Sequence, residues 1–274
     1  MAIIKAIVAG EREPQVLAAL KHPRIKSSVA EIAQALTGDY RPEHLFVLKQ
    51  ELTLYEVYQE EISSLDTEIE KCLATFEPKT LDAPPTTNKK RRKKPTANHP
   101  NFDLHKSLYR MTGVDFTRID GLDALTVQTI LSEVGLDPTR FPTVKHFTSW
   151  LGLCPGQKIT GGKVKSSQTR KVVNRAANAF RIAAFSLTQS RSALGAFYRR
   201  LRSRLGAPKA ITATAHKIAR LFYRMWTSGG QYADPGMDYY EQRYQQQVLN
   251  HLRNKAHSLG FDLIAQPTAT ECVS

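Results

Sequence analysis

The sequence predicts an all-α protein, and three observations predict it. Apolar residues return in threes and fours over long stretches, which is the helical period. Glycines and prolines break the first forty residues into short helical pieces. No segment alternates apolar and polar residues as a half-buried strand does. The 274 residues leave room for one large domain or two small ones, and for a real core.

Residues 1–41 read as short helices broken at Gly10, Pro14, Pro23 and Gly38. Ile3, Ile4, Ile7 and Val8 form an apolar strip with no partner nearby, so the segment reads as the remnant of a preceding domain. From 42 to 76, Leu45, Leu48, Leu52, Tyr55, Ile62, Leu65, Ile69 and Leu73 keep the spacing of a long amphipathic helix with coiled-coil character, slipping once near Gln59. Pro42 suits its first turn. Such a seam packs on its own domain or on a second copy. Residues 77–102 are rich in proline and threonine and carry six consecutive bases: Lys89, Lys90, Arg91, Arg92, Lys93 and Lys94. They read as an exposed, disordered linker whose bases clamp a nucleic-acid backbone.

Residues 103–263 are helical again. The stretch "FTRIDGLDALTVQTILSEVG", 116–135, is similar to a helix-hairpin-helix, in which a glycine-bearing turn offers backbone N–H groups to phosphate. Asp123 stands where that turn would have its second glycine, and an acid there suits a helix cap better than a phosphate. The hairpin therefore reads as structural. In 171–190, Val172, Ala176, Ala179, Ala183 and Leu187 lie on one side of a helix. In 208–226, Ile211, Ala215, Ile218, Phe222 and Met225 share one face, while Lys217, Arg220 and Arg224 form a basic rail opposite. His216 falls at the boundary of the two faces. Tyr109, Tyr198 and Tyr223 are spaced as core or base-stacking aromatics, core being the favoured reading, and Trp150 and Trp226 read as core as well. A tyrosine- and glutamine-rich helix follows over 237–259, and 264–274 is a fraying tail.

Charge is placed unevenly. The net charge is +14, which points to a polyanionic partner. Acids concentrate between Glu43 and Thr75, whereas from Pro155 to Arg224 there is no Asp or Glu at all. A surface helix normally mixes signs, so the acid-free stretch reads as a nucleic-acid interface. Cys72, Cys154 and Cys272 stand far apart, which excludes a zinc ribbon and disfavours a disulfide scaffold. No apolar run reaches the length of a membrane span, and the first residues lack the pattern of a signal peptide. A reducing cytoplasm is the expected setting.

The acid-free stretch opens with "GLCPGQKITGGKVKSSQTRKVVNR", 152–175. It displays the hydroxyls of Thr160, Ser166 and Ser167 among Lys158, Lys163, Lys165, Arg170, Lys171 and Arg175. Two chemistries fit. The hydroxyls can hydrogen-bond phosphate oxygens, or one of them can attack phosphorus, given a mobile glycine neighbour and cations for the developing charge.

The blocks "GLDALTVQTILSEVG", "FTSWLGLCPGQKITGGKVKSSQTRKVVNRAANAFRIAA" and "ALGAFYRRLRSRLGAPKAITATAHKIARLFYRM" resemble, in that order, the carboxy-terminal part of insertion-sequence 110 family transposases. The resemblance runs from about 102 to about 263, and the acidic helix and basic linker look like the family's connecting region. It implies DNA strand cleavage and exchange through a hydroxyl nucleophile, with Thr160 at the family's serine position and Ser166 and Ser167 as rivals. It implies as partners the DNA of element ends and target, a guide RNA, and a second copy bound through 42–76. Family members also carry a RuvC-like domain whose DEDD carboxylates bind divalent metal. Glu11, Glu13, Glu31 and Asp39 are the only acids before the long helix and match no such motif. The expectation is an amino-terminally truncated copy with no cofactor of its own, magnesium being tied to the missing domain. A bacterial cytoplasm, at the nucleoid when DNA-bound, is the implied location. The alternative is a non-catalytic helical nucleic-acid-binding module.

Overall fold

Short polar side chains decide where most of the helices begin. The first backbone N–H groups of a helix lack internal partners, and a Ser, Thr, Asp or Asn before them can accept in their place. Ser28, Asp103, Asp123, Thr143, Asn174 and Ser192 all do so. Ser28 and Glu31 complete a reciprocal capping box. The computed structural model describes residues 1–85, 99–156, 158–166, 168–170 and 172–264. Among these, eleven α-helices carry the fold, as the helical spacing predicts, together with one two-stranded sheet. The chain divides into two units: Met1–Cys72 with Pro100–Phe102, and Leu73–His99 with Asp103–Ser274.

In the first unit, α1 (Ala2–Val8), α2 (Pro14–Ala19) and α3 (Val29–Leu36) pack in sequence. Ile7, Leu17, Ala18 and Ala33 are buried. The apolar strip of α1 thus has a partner after all, because Pro14 starts a second helix that turns back on it. Helix α4 (Pro42–Thr75) then runs for 34 residues without a single buried side chain. Lys5 pairs with Glu56 at 2.6 Å, and Asn101 donates its N–H to Asp66 at 3.0 Å.

The second unit is built from α5 (Leu104–Thr112), α6 (Ala124–Val134), α7 (Val144–Trp150), α8 (Arg175–Ser186), α9 (Ala193–Leu205), α10 (Ala207–Ser228) and α11 (Met237–Ser258). Its centre is aromatic. Phe222 of α10 stacks on Phe116 at 4.1 Å and meets Phe147 of α7 and Phe180 of α8 at 6.2 and 5.6 Å. Alanines on α8 and α10 (Ala176, Ala183, Ala215 and Ala219) are buried, which lets these two helices approach closely. Tyr223 is core as its spacing predicts, and its hydroxyl donates to the Phe141 carbonyl at 2.6 Å. Trp226 is buried, but Trp150 is 39% exposed, because it ends its short helix at the surface.

Two further expectations are corrected, and the cap read for Asp123 is found. The helix predicted from 171 begins at Arg175, capped by Asn174, so Val172 lies before it. The beginning of the predicted linker is tied down: Lys79 donates its N–H to the Arg110 carbonyl at 2.8 Å. The Arg110 guanidinium in turn caps the carbonyls of Leu73 and Ala74. The run of bases at 89–94 lies outside the described residues. Finally, the segment resembling a helix-hairpin-helix has only a three-residue turn, Phe116–Arg118, before α6. Gly121 sits at φ 92° there, and a Cβ on it would stand 2.5 Å from the Ala183 carbonyl oxygen of α8. The turn is a packing contact, and Asp123 caps α6 by accepting from Thr126 N–H at 2.8 Å.

The Asp115 carboxylate ties α5 to the turn that follows it. It accepts from Thr117 Oγ1 at 2.6 Å and lies 2.9 Å from His105 Nε2. Burial pushes this carboxyl up, but the hydrogen bonds with His105 and Thr117 outweigh it and hold the group below its ordinary range.

Candidate nucleic-acid interface

The glycine-rich segment is a β-hairpin, where the sequence predicts no strand. Strands β1 (Lys158–Thr160) and β2 (Lys163–Ser166) pair antiparallel. Gly161 and Gly162 form the two-residue connection at φ 57° and 72°. Both values are positive, the signature of a type I′ turn, whose twist matches the strands it joins. The glycines therefore form a tight turn. Strands of three and four residues are too short for alternation to stand out, although Ile159 and Val164 do alternate with polar neighbours.

Register decides what stands beside what. Thr160 lies directly opposite Lys163 at the turn, and Ser166 opposite Lys158, with one irregularity between the pairs. Thr160, Lys163 and Lys165 are exposed. Ser166 is half-buried, and its Oγ accepts from Gln168 N–H at 3.3 Å. The base of the hairpin closes through Gly156 N–H donating to the Gln168 carbonyl at 2.9 Å.

Two predicted phosphate contacts are already engaged by the protein. Arg170 donates to the Ser149 carbonyl at 2.7 Å, and Arg175 pairs with Glu133 at 2.5 Å. Both remain on the surface, so these bonds orient them. Ser167, Lys171 and the side chain of Lys158 lie outside the described residues.

Below the hairpin base runs a groove of about 1230 Å³. Pro155, Gln168 and Thr169 line it together with Lys209, Arg220 and Arg224 of α10, and Leu153 and Ala213 are among its apolar lining residues. The groove brings the base of the hairpin and the basic rail together, though some fifty residues separate them in sequence.

The rail is not uniform. Arg220 and Arg224 are exposed, but Lys217 is half-buried, its ammonium 4.2 Å from the Phe197 ring centre. Burial first, then the charges of Arg200, Arg243 and Arg220, hold the Lys217 ammonium below its ordinary range. His216 lines the same groove. Burial and then Arg220 keep its imidazole below the usual value, so it is neutral at pH 7.

Lys209, Arg200 and Arg243 escape sequence reasoning that looks only for one-sided rails. Their signal is the interleaving of bases with aromatics: Tyr240, Arg243 and Tyr244 on α11 and Phe197, Arg200 on α9. Among the described residues, no group of three or more His, Cys, Asp or Glu could hold a metal ion. No helix among them is long and apolar enough to cross a membrane.

Fold and site together define a helical unit that carries a basic, hydroxyl-bearing hairpin above a basic groove. Residues 115–199 match the model of the family described as Transposase IS116/IS110/IS902 family, so this segment is similar to that family's transposases. The match takes in the aromatic turn at Phe116, the whole hairpin, α8 and the first part of α9. No curated protein and no solved structure matches the chain.

Proposed function

We propose that this chain acts on DNA as part of a transposition reaction, with the hairpin at the scissile phosphodiester and Thr160 as the attacking hydroxyl. The observation that carries the reading is Thr160 held opposite Lys163 at an exposed glycine turn, on a hairpin whose base borders a basic groove. Attack by Thr160 Oγ on phosphorus forms a threonine phosphodiester and expels one deoxyribose oxygen. That oxygen gains a proton and leaves as a hydroxyl, while the threonine proton passes to water. The ester keeps the bond energy, so the reverse attack by a new strand end rejoins DNA without a nucleotide cofactor. Lys163 and Lys165 stand ready to neutralise charge on the phosphoryl oxygens. Ser166 is the weaker rival, since its oxygen already accepts a backbone hydrogen bond.

The metal-binding carboxylates that the family resemblance calls for must come from outside the described residues, and no step here is routed through them. A guide RNA and a second copy paired through α4 belong to the same reading. The second reading, a binding module without chemistry, is favoured by one observation: threonine's extra methyl crowds the nucleophile position.

The test is a denaturation-resistant protein–DNA adduct. The chain is incubated with element-end DNA, guide RNA and magnesium, alone and together with a DEDD-bearing RuvC-like domain. We expect an adduct only in the second mixture, lost in Thr160→Ala and kept in Thr160→Ser. An adduct that survives Thr160→Ala but disappears in Ser166→Ala or Ser167→Ala would move the chemistry to the other hydroxyl. Binding without any adduct in either mixture would leave the binding module.

A further inference from the structure

Around Lys217 of α10's rail, three helices bring cations and aromatic rings together at Tyr240 of α11. The Arg200 guanidinium of α9 lies 5.3 Å from the Tyr240 ring centre and 3.8 Å from that of Tyr244. The Lys217 ammonium lies 5.5 Å from the Tyr240 centre and 4.2 Å from that of Phe197. Phe197 itself meets Tyr240 edge-on at 6.3 Å. Two cations thus share one ring, and the rings fix both head groups in place.

Asp238 and Glu241 stand on α11 on either side of Tyr240, but neither forms an ion pair with these cations. Among the described residues no ion pair reaches Arg200, Lys217, Arg220 or Arg243, although Arg175 and Lys5 elsewhere each find a carboxylate. The neighbours that act electrostatically on Lys217 are Arg200, Arg243 and Arg220, all of its own sign. Like charges gathered without a counter-charge oppose folding, and aromatic faces offset that only in part. Such a cluster is kept where an anion from outside completes it.

The groove says which anion. Phe197 and Lys217 line it together with the hairpin-base residues Pro155 and Gln168. Phe197 and Lys217 therefore join the cluster to the same track, and Tyr240 with the Arg200 guanidinium over it stands directly beside them. A guanidinium over a tyrosine ring makes no hydrogen bond to the ring through its N–H fork, which can still grip two phosphate oxygens at once.

We propose that Arg200, Lys217, Arg220 and Arg243 form a phosphodiester-binding site around Tyr240, which holds the backbone of the nucleic acid engaged by the hairpin. The site rests on the function proposed above. It sets the register of the bound strand by gripping it at a second point, away from the hairpin. It also gives α11 a role, although that helix lies outside the family match.

The experiment is a fluorescence-anisotropy titration of the full chain with a labelled DNA duplex and with RNA of the same sequence, across a salt series. Arg200→Gln with Arg243→Gln is compared with Lys163→Gln with Lys165→Gln and with the unmodified chain. The first double variant is expected to weaken binding roughly tenfold near physiological salt and to flatten the log–log slope by about two, one for each phosphate that is no longer neutralised. Whichever of the DNA and RNA arms shows that change identifies the source of the phosphates. Without nucleic acid, the same variant should melt no lower than the parent, because it removes like-charge repulsion. Parental affinity and slope in both arms, with binding weakened only by the hairpin variant, would overturn this site and leave the proposed function standing. Salt-independent binding by the unmodified chain would remove both. A fall in melting temperature without nucleic acid would also count against the site, by showing that the cluster serves the fold.

Discussion

Helices α4 and α10 are both long and both carry apolar residues at helical spacing, yet they end in opposite situations. Helix α10 buries nine of its 22 residues, while α4, at 34 residues, buries none. The difference lies in what the stripe is made of. On α10 small residues such as Ala215 and Ala219 alternate with Phe222, so that α8 and α9 come close and the large ring fills the gap. On α4 Phe46, Leu54, Tyr58, Ile62 and Leu65 are exposed, and they do not all fall on the predicted seam. A periodic pattern marks which face would be buried. It does not supply the partner.

The largest expected effect tests that contrast directly. Phe222→Ala should destabilise the second unit by roughly 3–5 kcal/mol in a denaturant titration, the cost of an aromatic-sized cavity. Leu65→Ala should cost well under about 1 kcal/mol if α4 stands alone. If α4 pairs with a second copy, its cost will grow with protein concentration. Ile62→Lys with Leu65→Lys should then shift sedimentation from a dimer to a monomer. A monomer in the parent at high concentration would break the idea of pairing.

A smaller effect is expected at the helix starts. Asp123→Ala removes the side chain that caps α6 and should cost about 1 kcal/mol. Asp123→Asn, which keeps an acceptor, should lose much less. If both variants cost the same, the carboxylate's charge rather than its hydrogen bond sets the effect.

The smallest and most specific effect is in pH. Asp115 is held below the ordinary aspartate value of 3.8, so its stabilising contribution is present above that value. It is lost as pH falls through the depressed native value. An acid titration of stability should therefore be less steep below about pH 4 in Asp115→Asn than in the parent. Equal slopes would show that the bonds from His105 and Thr117 do not favour the charged form.

The sequence made the helices legible because long runs repeat the period many times. The face of α10, the burial of Tyr198, Tyr223 and Trp226, and the cap at Asp123 could all be read that way. The hairpin could not, since its strands span three and four residues and a two-glycine turn looks the same as a loose loop. The partner of the α1 strip was hidden for a different reason. Pro14 looks like a break in the chain but serves as the first turn of α2. At the site, hydroxyls and bases were visible as types, but the groove was not. It depends on α9 and α10 folding back beside the hairpin base, and no local spacing carries that information. Of the cluster around Tyr240 only Lys217 and Arg220 were legible, because Arg200 and Arg243 come from two other helices.

The two tryptophans have a consequence for observing this molecule in solution. Trp226 is buried against Phe141, Phe147 and Phe222, whereas Trp150 is 39% exposed and follows Ser149, whose carbonyl holds Arg170. One indole therefore senses the interior and the other the root of the hairpin. Their emission should separate on quenching with acrylamide, Trp150 responding and Trp226 staying dark to the quencher. A ligand that draws Arg170 away from Ser149 changes the first signal and leaves the second as an internal reference, so the protein carries its own optical gauge of hairpin engagement without any attached dye.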